Sequence, residues 1–208
     1  MLVSADGSPS ISPSPNLQNP SGNLNNLNNL NNCNNSNNCN NSNNYKNFSN
    51  MKIGDSFPNL LGLDADGNEV KLSDFPGMNF IIYFYPKDST SGCTAEAVSL
   101  SENYKTLLSM GYQVIGVSKD SAASHKKFAD KYSLPFPLVA DTDLRLCYLA
   151  DVWQKKKMAG REYFGIVRTT FVTDSEGTVT DIIEKVDTKH AAEQLFALLE
   201  GRNDPNPA

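Results

Sequence analysis

The chain has 208 residues, with 18 lysines and arginines against 23 aspartates and glutamates, which gives a formal net charge of −5. This acidic balance disfavours a general nucleic-acid binder, because contacts to phosphates need clustered basic side chains. No stretch approaches the roughly 18 consecutive apolar residues of a membrane-spanning helix, so we expect no membrane partner.

The first 50 residues differ in composition from the rest of the chain. Asparagine fills more than half of positions 21–50, and Asp6 and Lys46 are the charged residues of positions 1–50. Such a tract cannot bury enough apolar surface to offset the entropy of ordering it, which predicts a disordered tail. The composition favours a neutral tail without a biochemical role over a self-associating one.

The remaining length fits one domain, predicted at 51–200 and followed by a C-terminal tail at 201–208. The domain begins with a predicted β-hairpin at 59–72, whose turn contains glycine. An apolar run at 80–85, rich in β-branched and aromatic residues, predicts a buried strand that ends before Pro86.

A helix is predicted next, from about Gly92 to Leu108, because apolar residues recur there at helical spacing. The later pattern predicts, in chain order, a buried strand at 112–118, a helix capped by Ser121 and running to about Tyr132, a return to the sheet at 134–139, a short helix at 144–150, a hairpin of 166–173 and 178–186, and a terminal helix capped by Asp187 or Thr188 and running to Leu199.

A few conspicuous side chains are predicted to have no chemical role. His125 and His190 have charged neighbours on predicted helices, so we expect both to face solvent. The basic residues 155–157, with Arg161, are predicted to form a solvated loop rather than a binding patch. Trp153 is expected to contribute packing.

The order of elements is an α/β layout, because strands and helices alternate before an antiparallel hairpin and a terminal helix. This layout matches a thioredoxin-like fold with an added N-terminal β-hairpin. In open sheets of this kind, functional sites form beyond the carboxyl ends of the strands. Cys93 follows one such end.

Cys93 is predicted to lie in the first turn of the helix that follows the strand at 80–85. The unpaired N–H groups and the positive end of a helix stabilise an anion, and the thiolate is the nucleophilic form of cysteine. We therefore interpret Cys93 as a reactive thiol. Its position alone is equally compatible with a small buried hydrophobic residue.

The other three cysteines are Cys33, Cys39 and Cys147. The chain has no C-x-x-C pair and no Cys/His cluster with zinc spacing, so the sequence indicates neither a disulfide scaffold nor a metal site. We also expect no cofactor. Single thiols fit a reducing compartment, which predicts a cytoplasmic location, with the nucleus or an organelle as alternatives.

The residues around Cys93 carry a resemblance to a known family. Pro86, Thr90 and Cys93 match the Pro-x-x-x-Thr-x-x-Cys motif of peroxiredoxins, and Arg168 matches an arginine that this family has on a later strand. The chain is most similar to the Q type, also called the bacterioferritin-comigratory-protein type. Further segments agree with that type in order and spacing: 116–121, 124–128, 134–138, 152–153 and 156–158.

The resemblance implies a role for each of these residues. Cys93 would be the peroxidatic thiol, which peroxide converts to sulfenic acid. Thr90 would orient the peroxide with its hydroxyl, and Arg168 would supply positive charge to the thiolate and the polarised peroxide. Pro86 would shape the loop and shield the thiolate from water. Glu96, one turn into the helix, would hold Arg168 by an ion pair.

Each residue also has a plainer interpretation when it is taken alone. Thr90 is an ordinary helix cap or turn residue, and Pro86 is a common strand terminator. Glu96 suits the first turn of a helix because of the helix dipole. An arginine on a strand, such as Arg168, usually faces solvent, and its neighbours do not decide which way it points.

One position departs from the pattern of the Q type. Many members have a second, resolving cysteine five residues after the first, where this chain has Val98. The default expectation is therefore a cycle that uses one cysteine. Cys147 is favoured as a buried small residue, but it is retained as a possible resolving cysteine. So are Cys39 and Cys33, since a linker of about 12 residues reaches roughly 19 Å.

The resemblance implies a thiol-dependent peroxidase that reduces hydrogen peroxide and organic hydroperoxides, with thioredoxin, glutaredoxin or glutathione as the external reductant. The alternative is a peroxide sensor that relays oxidation to a partner protein, since a long-lived sulfenic acid favours mixed disulfides. A thioredoxin-type disulfide reductase is disfavoured because C-x-x-C is absent. Since Q-type members are often monomers, we expect a monomer or a weak dimer.

Overall fold

The computed structural model describes residues 51–158 and 160–201. The predicted tail at 1–50 and nearly all of the one at 201–208 lie outside these residues. The elements occur in this order: β1 (Leu60–Leu63), β2 (Glu69–Lys71), β3 (Asn79–Phe84), α1 (Ser91–Glu102), α2 (Tyr104–Ser109), β4 (Tyr112–Ser118), α3 (Ala122–Tyr132), β5 (Leu138–Ala140), α4 (Arg145–Leu149), β6 (Trp153–Met158), β7 (Arg161–Ile166), β8 (Thr169–Thr173), β9 (Val179–Ile183) and α5 (Ala191–Glu200).

A five-stranded mixed sheet organises the domain. Its strand order is β5-β4-β3-β8-β9, and β1 with β2, and β6 with β7, form separate two-stranded ribbons. Strands β3, β4 and β5 run parallel to one another, whereas β8 is antiparallel to both β3 and β9. The α/β, thioredoxin-like fold and its added N-terminal hairpin are therefore confirmed.

Strand β3 lies in the middle of the sheet and has both of its faces covered. Phe80, Ile82 and Phe84 pack into one apolar cluster, and Ile81 and Tyr83 pack into a second. All five side chains are completely buried. Because successive strand residues point to opposite faces, the two clusters lie on opposite sides of the sheet.

Different elements cover the two faces of the sheet. The cluster containing Ile81 also receives buried side chains from α1, α2, α3 and α5, including Leu100, Leu107 and Phe128. The cluster containing Phe80 is completed by the N-terminal ribbon and by α4. Burial on both sides explains why β3 and β4 are continuous apolar runs rather than alternating ones.

Two helix predictions need correction. The helix predicted over 92–108 is interrupted at Asn103, whose side-chain amide donates to the Ser99 carbonyl at 2.9 Å. This side-chain bond competes with the helical backbone bond at the same carbonyl. The terminal helix begins at Ala191, without a side-chain cap, because Asp187 instead accepts the Lys189 backbone N–H in a separate turn.

The predicted solvated loop at 155–157 and Arg161 is wrong, because these residues lie in the β6–β7 ribbon. Lys155 forms an ion pair with Glu162 across the ribbon at 2.5 Å. The Lys156 ammonium group donates to the Ile166 carbonyl at 2.7 Å. Apolar periodicity does not reveal strand β6, because it contains three consecutive lysines and its side chains make polar contacts.

None of the helices in the described part of the chain combines the length and the apolar character needed to cross a membrane.

Candidate active site

Cys93 lies in the first turn of α1, beyond the carboxyl end of β3, as the sequence predicts. Thr90 precedes the helix and has an extended backbone conformation. Its carbonyl oxygen accepts the Thr94 N–H at 2.8 Å. Cys93 is 1% exposed and packs in the same apolar cluster as Ala97. Because water is largely excluded, a charged neighbour acts on this sulfur more strongly than it would in solvent.

Arg168 supplies that charged neighbour. Its Nη2 donates to the Cys93 Sγ at 3.1 Å, and its Nη1 donates to the Glu96 carboxylate. Arg168 lies in the short link between β7 and β8, not on a strand as the sequence predicted. Although 75 positions separate Arg168 from Cys93 in sequence, the fold brings the guanidinium group directly onto the thiol.

Glu96 is fully buried on α1, and two opposing effects act on its charge. Burial raises the pKa of Glu96 to about 7, although the Arg168 guanidinium works in the opposite direction. Burial also disfavours the charge of Arg168, but Glu96 and Cys93 outweigh it, so the pKa of Arg168 rises. The arginine therefore stays cationic between two groups that can carry negative charge.

Thr90 and Pro86 occupy the loop that leads into α1. The Thr90 hydroxyl does not cap the helix, but donates to the Lys87 carbonyl at 3.1 Å. Because its proton is used in that bond, the lone pairs of Oγ1 are left to accept a hydrogen bond. Thr90 is exposed and Pro86 is half-buried.

The expectation that His125 faces solvent is wrong, whereas His190 is exposed as predicted. His125 is completely buried on α3, and its Nδ1 lies 2.9 Å from the Asp88 carboxylate. The sequence contains a usable signal, because His125 stands three residues before Phe128 and so shares its inward face. Asp88, just upstream of Thr90, was also missed as a site residue.

Lys156 is a further positive charge that interacts with the thiol, and the sequence pattern did not indicate it. Burial, and then the positive charge of Arg168, lower the pKa of Lys156, while Cys93 acts in the opposite direction. Its bond to the Ile166 carbonyl fastens the chain two residues before Arg168.

The candidate resolving cysteines have different placements. Cys147 is fully buried on α4, where burial and then Asp141 raise the pKa of its thiol. It packs in the apolar cluster on the face of the sheet opposite Cys93. Cys33 and Cys39 lie outside the described residues. Cys93 and Cys147 are both free thiols.

Comparisons with known proteins agree with this geometry. The AhpC/TSA family model matches residues 53–182. Peroxiredoxin Bcp of Bacillus subtilis is 42% identical over 149 residues, which cover 71% of this chain and 95% of the relative. Peroxiredoxin Bcp of Escherichia coli is 36% identical over 140 residues, which cover 67% of this chain and 90% of the relative.

Solved structures give the same result. A cysteine-to-serine mutant of Xylella fastidiosa PrxQ aligns with a TM-score of 0.68 and 31% identity, covering 75% of this chain and 99% of that one. A Xanthomonas campestris structure concerned with alkyl peroxide reduction by bacterioferritin comigratory protein aligns with a TM-score of 0.63 and 35% identity. The alignment covers 71% of this chain and 99% of that one.

The thioredoxin-like sheet, with a buried cysteine and a partly buried arginine in contact beyond its carboxyl edge, and the matched relatives together indicate the class of thiol peroxidases. This chain belongs to the AhpC/TSA family, and within that family it is a peroxiredoxin of the Q, or Bcp, type. It is accordingly an oxidoreductase that reduces hydroperoxides with a thiol.

Proposed function

We propose that Cys93 is the peroxidatic thiol of this peroxidase. Its thiolate attacks one peroxide oxygen, the O–O bond breaks, and the bonding electron pair leaves with the other oxygen as hydroxide or alkoxide. That oxygen then takes up a proton, and the sulfur is left as sulfenic acid. The contact of 3.1 Å between the Arg168 Nη2 and the Cys93 Sγ is the observation that carries this proposal.

Thr90 and Pro86 prepare the peroxide for the attack. The Thr90 hydroxyl donates to Lys87, so its oxygen is free to accept the O–H of a hydroperoxide and fix its direction. Pro86 follows the end of β3 and is half-buried, and its fixed φ shapes the loop that leads to Cys93 and shields the thiolate from water.

Arg168 stabilises negative charge first on the sulfur and then on the leaving oxygen. A guanidinium suits this task because it remains protonated and has several donors in a rigid plane. Glu96 holds the guanidinium through Nη1, which leaves Nη2 directed at Cys93. Such preorganised donors cost little reorganisation when charge moves during the reaction.

An external thiol completes the cycle. Val98 occupies the position of the local resolving cysteine, and Cys147 packs on the far side of the sheet. Because Cys93 is 1% exposed, attack by a protein thiol requires the first turn of α1 to open. The matched relatives are named as peroxiredoxins, so turnover is favoured over the peroxide-sensor alternative.

The partners follow from this chemistry. They are a hydroperoxide and a thiol reductant, with thioredoxin, glutaredoxin or glutathione as the candidates. We further propose a cytoplasmic location, supported by the bacterial relatives and by the free thiols of Cys93 and Cys147. A monomer or weak dimer remains our expectation for its assembly.

Peroxide consumption in the presence of excess dithiothreitol tests the proposed role of Cys93. Cys93→Ser should remove all turnover above the rate of dithiothreitol alone, while a Cys33→Ser/Cys39→Ser double variant should keep the wild-type rate. Substantial turnover by Cys93→Ser would show that another group carries the reaction.

A further inference from the structure

The loop between β3 and α1 contributes to a buried, hydrogen-bonded pair of side chains that the reaction described above does not use. Asp88 lies in this loop and is 7% exposed, and its partner His125 on α3 is 0% exposed. Polar side chains with so little access to water are stable only where the protein supplies their hydrogen-bond partners.

Asp88 meets that condition. Its Oδ1 accepts the Tyr85 hydroxyl at 2.8 Å, and its Oδ2 accepts the Ser124 hydroxyl at 2.6 Å and the His125 Nδ1 at 2.9 Å. The Asp88 backbone N–H donates to the Asp120 carboxylate at 2.6 Å. Asp88 is thus hydrogen-bonded to the end of β3, to α3 and to the segment between β4 and α3.

His125 connects this hydrogen-bond network to the sheet. Its second nitrogen, Nε2, donates to the Val139 carbonyl on β5 at 3.2 Å. Both ring nitrogens therefore lie within hydrogen-bond distance of oxygen atoms, and the ring links the Asp88 carboxylate to β5. Burial alone would raise the pKa of Asp88, but hydrogen bonds from His125 and Ser124 outweigh it and lower that pKa.

The hydrogen bonds of Asp88 determine the position of Thr90. Asp88 is two positions before Thr90, and the Thr90 hydroxyl is bonded to the carbonyl of Lys87, the residue before Asp88. Ser89, between Asp88 and Thr90, has a φ of 57°, a left-handed backbone conformation that residues other than glycine seldom adopt. Without the hydrogen bonds of Asp88, the loop could adopt another conformation, and the Thr90 hydroxyl would move away from its present position.

We propose that the Asp88–His125 pair is a positioning element that holds the segment 87–90 in the conformation needed to orient the peroxide at Cys93. This inference rests on the peroxidase role proposed above for Cys93. Asp88 and His125 act through Thr90 and do not touch the reacting atoms. Their loss should therefore slow the reaction with peroxide much more than a reaction of Cys93 that needs no oriented oxygen.

Two reactions of the same thiol in the full-length protein separate these effects. One is the second-order rate constant with hydrogen peroxide, and the other is the rate constant for alkylation of Cys93 by iodoacetamide. For Asp88→Asn and His125→Gln, we expect the peroxide rate to fall about tenfold or more, and the alkylation rate to change less than about twofold. The control is His190→Gln, because His190 forms an exposed pair with Asp187 at 3.1 Å, and both rates should stay unchanged.

A milder variant keeps the test decisive if Asp88→Asn and His125→Gln do not fold. Ser124→Ala removes one bond to Asp88 but retains the pair, and we expect a smaller fall confined to the peroxide reaction. Equal falls in both rates, or no fall in folded Asp88→Asn or in Ser124→Ala, would overturn the positioning role. A wild-type protein that reacts with peroxide no faster than free cysteine would instead contradict the peroxidase role of Cys93.

Discussion

At the scale of single residues, the site depends on how one guanidinium is shared. Arg168 contacts the Cys93 sulfur with one terminal nitrogen and the Glu96 carboxylate with the other. Its side chain is 19% exposed, so these bonds are only partly screened by water. A lysine would retain the charge at this position but could not reproduce two donors in one rigid plane.

Replacement of Arg168 should therefore give a graded loss of reactivity. We expect Arg168→Met to lower the rate constant with hydrogen peroxide about 100-fold or more, and Arg168→Lys to lower it less, because charge is retained without the fork. Stopped-flow measurement of thiol oxidation gives both values. Arg161→Met, on the exposed side of the β6–β7 ribbon, is the matched control and should react like the wild type. A wild-type rate in Arg168→Met would exclude an electrostatic role.

Glu96 should make stability depend on pH. The folded protein retains the Glu96 proton up to about pH 7, whereas the unfolded chain releases it near 4.5. Between these values the folded state binds more protons, so the free energy of unfolding should fall as pH rises, by about 3 kcal/mol in total. Glu96→Gln cannot titrate and should lack this fall. Urea unfolding at pH 5 and pH 8 provides the comparison, and equal changes in both proteins would contradict it.

At the scale of elements, a row of three residues fixes how the central strands pack. Gly116 on β4 pairs with Tyr83 on β3 and with Leu138 on β5. A Cβ atom at Gly116 would lie 2.6 Å from the Leu138 Cδ2 and 2.9 Å from the Tyr83 ring. The absent side chain leaves the space that these two neighbours fill beneath α1 and α3.

Gly116→Ala should accordingly destabilise the domain by overpacking, by about 1–3 kcal/mol, because both neighbours are held within the core. Chemical denaturation measures the loss. Gly201→Ala is the control, since a Cβ there would meet only helix carbonyl oxygens at 3.4 Å and beyond, and it should have a much smaller effect. Equal stability of Gly116→Ala and the wild type would mean that the strand row adapts freely.

Secondary structure could be predicted from the sequence where local pattern and burial agree. Strands β3 and β4 are uninterrupted apolar runs, and α3 has a capping serine whose hydroxyl accepts the Ser124 N–H. The break at Asn103 and the β6–β7 ribbon could not be predicted, because each depends on polar side-chain bonds that leave no periodic signal.

In the site, too, some features could be predicted from the local sequence and others could not. Cys93, Thr90 and Pro86 fall within eight consecutive residues, so their proximity follows from the chain itself. The contact of Arg168 with Cys93 spans 75 positions and was expected only from the family resemblance. The pair of Asp88 and His125 spans 37 positions, and charged residues beside His125 on α3 concealed its burial.

At the scale of the whole domain, the sheet separates the two described cysteines. Cys93 packs with α1, α3 and α5 on one face, and Cys147 packs with the N-terminal ribbon on the other. A disulfide between them would require the central strands to part, which would destroy the core. The structure of residues 51–158 and 160–201 thus favours reduction of the sulfenic acid from outside.

Removal of Cys147 should therefore leave catalysis unchanged. We expect Cys147→Ser to retain the wild-type rate of peroxide turnover with an external thiol, with some loss of stability because a buried apolar thiol is replaced by a hydroxyl. Mass spectrometry after one equivalent of peroxide should show no disulfide between Cys93 and Cys147. Detection of that disulfide, together with loss of turnover in Cys147→Ser, would identify Cys147 as a resolving cysteine.

Cys93, held beside Arg168 at the start of α1, should be sufficient for rapid reaction with peroxide. The most direct measurement uses a Cys33→Ser/Cys39→Ser/Cys147→Ser variant, in which Cys93 is the remaining thiol, and follows its single-turnover oxidation by hydrogen peroxide. We predict the wild-type rate constant, at least about 100-fold above that of free cysteine, with a sulfenic acid trapped on Cys93. A rate close to that of free cysteine would contradict the role of Cys93 as the peroxidatic thiol.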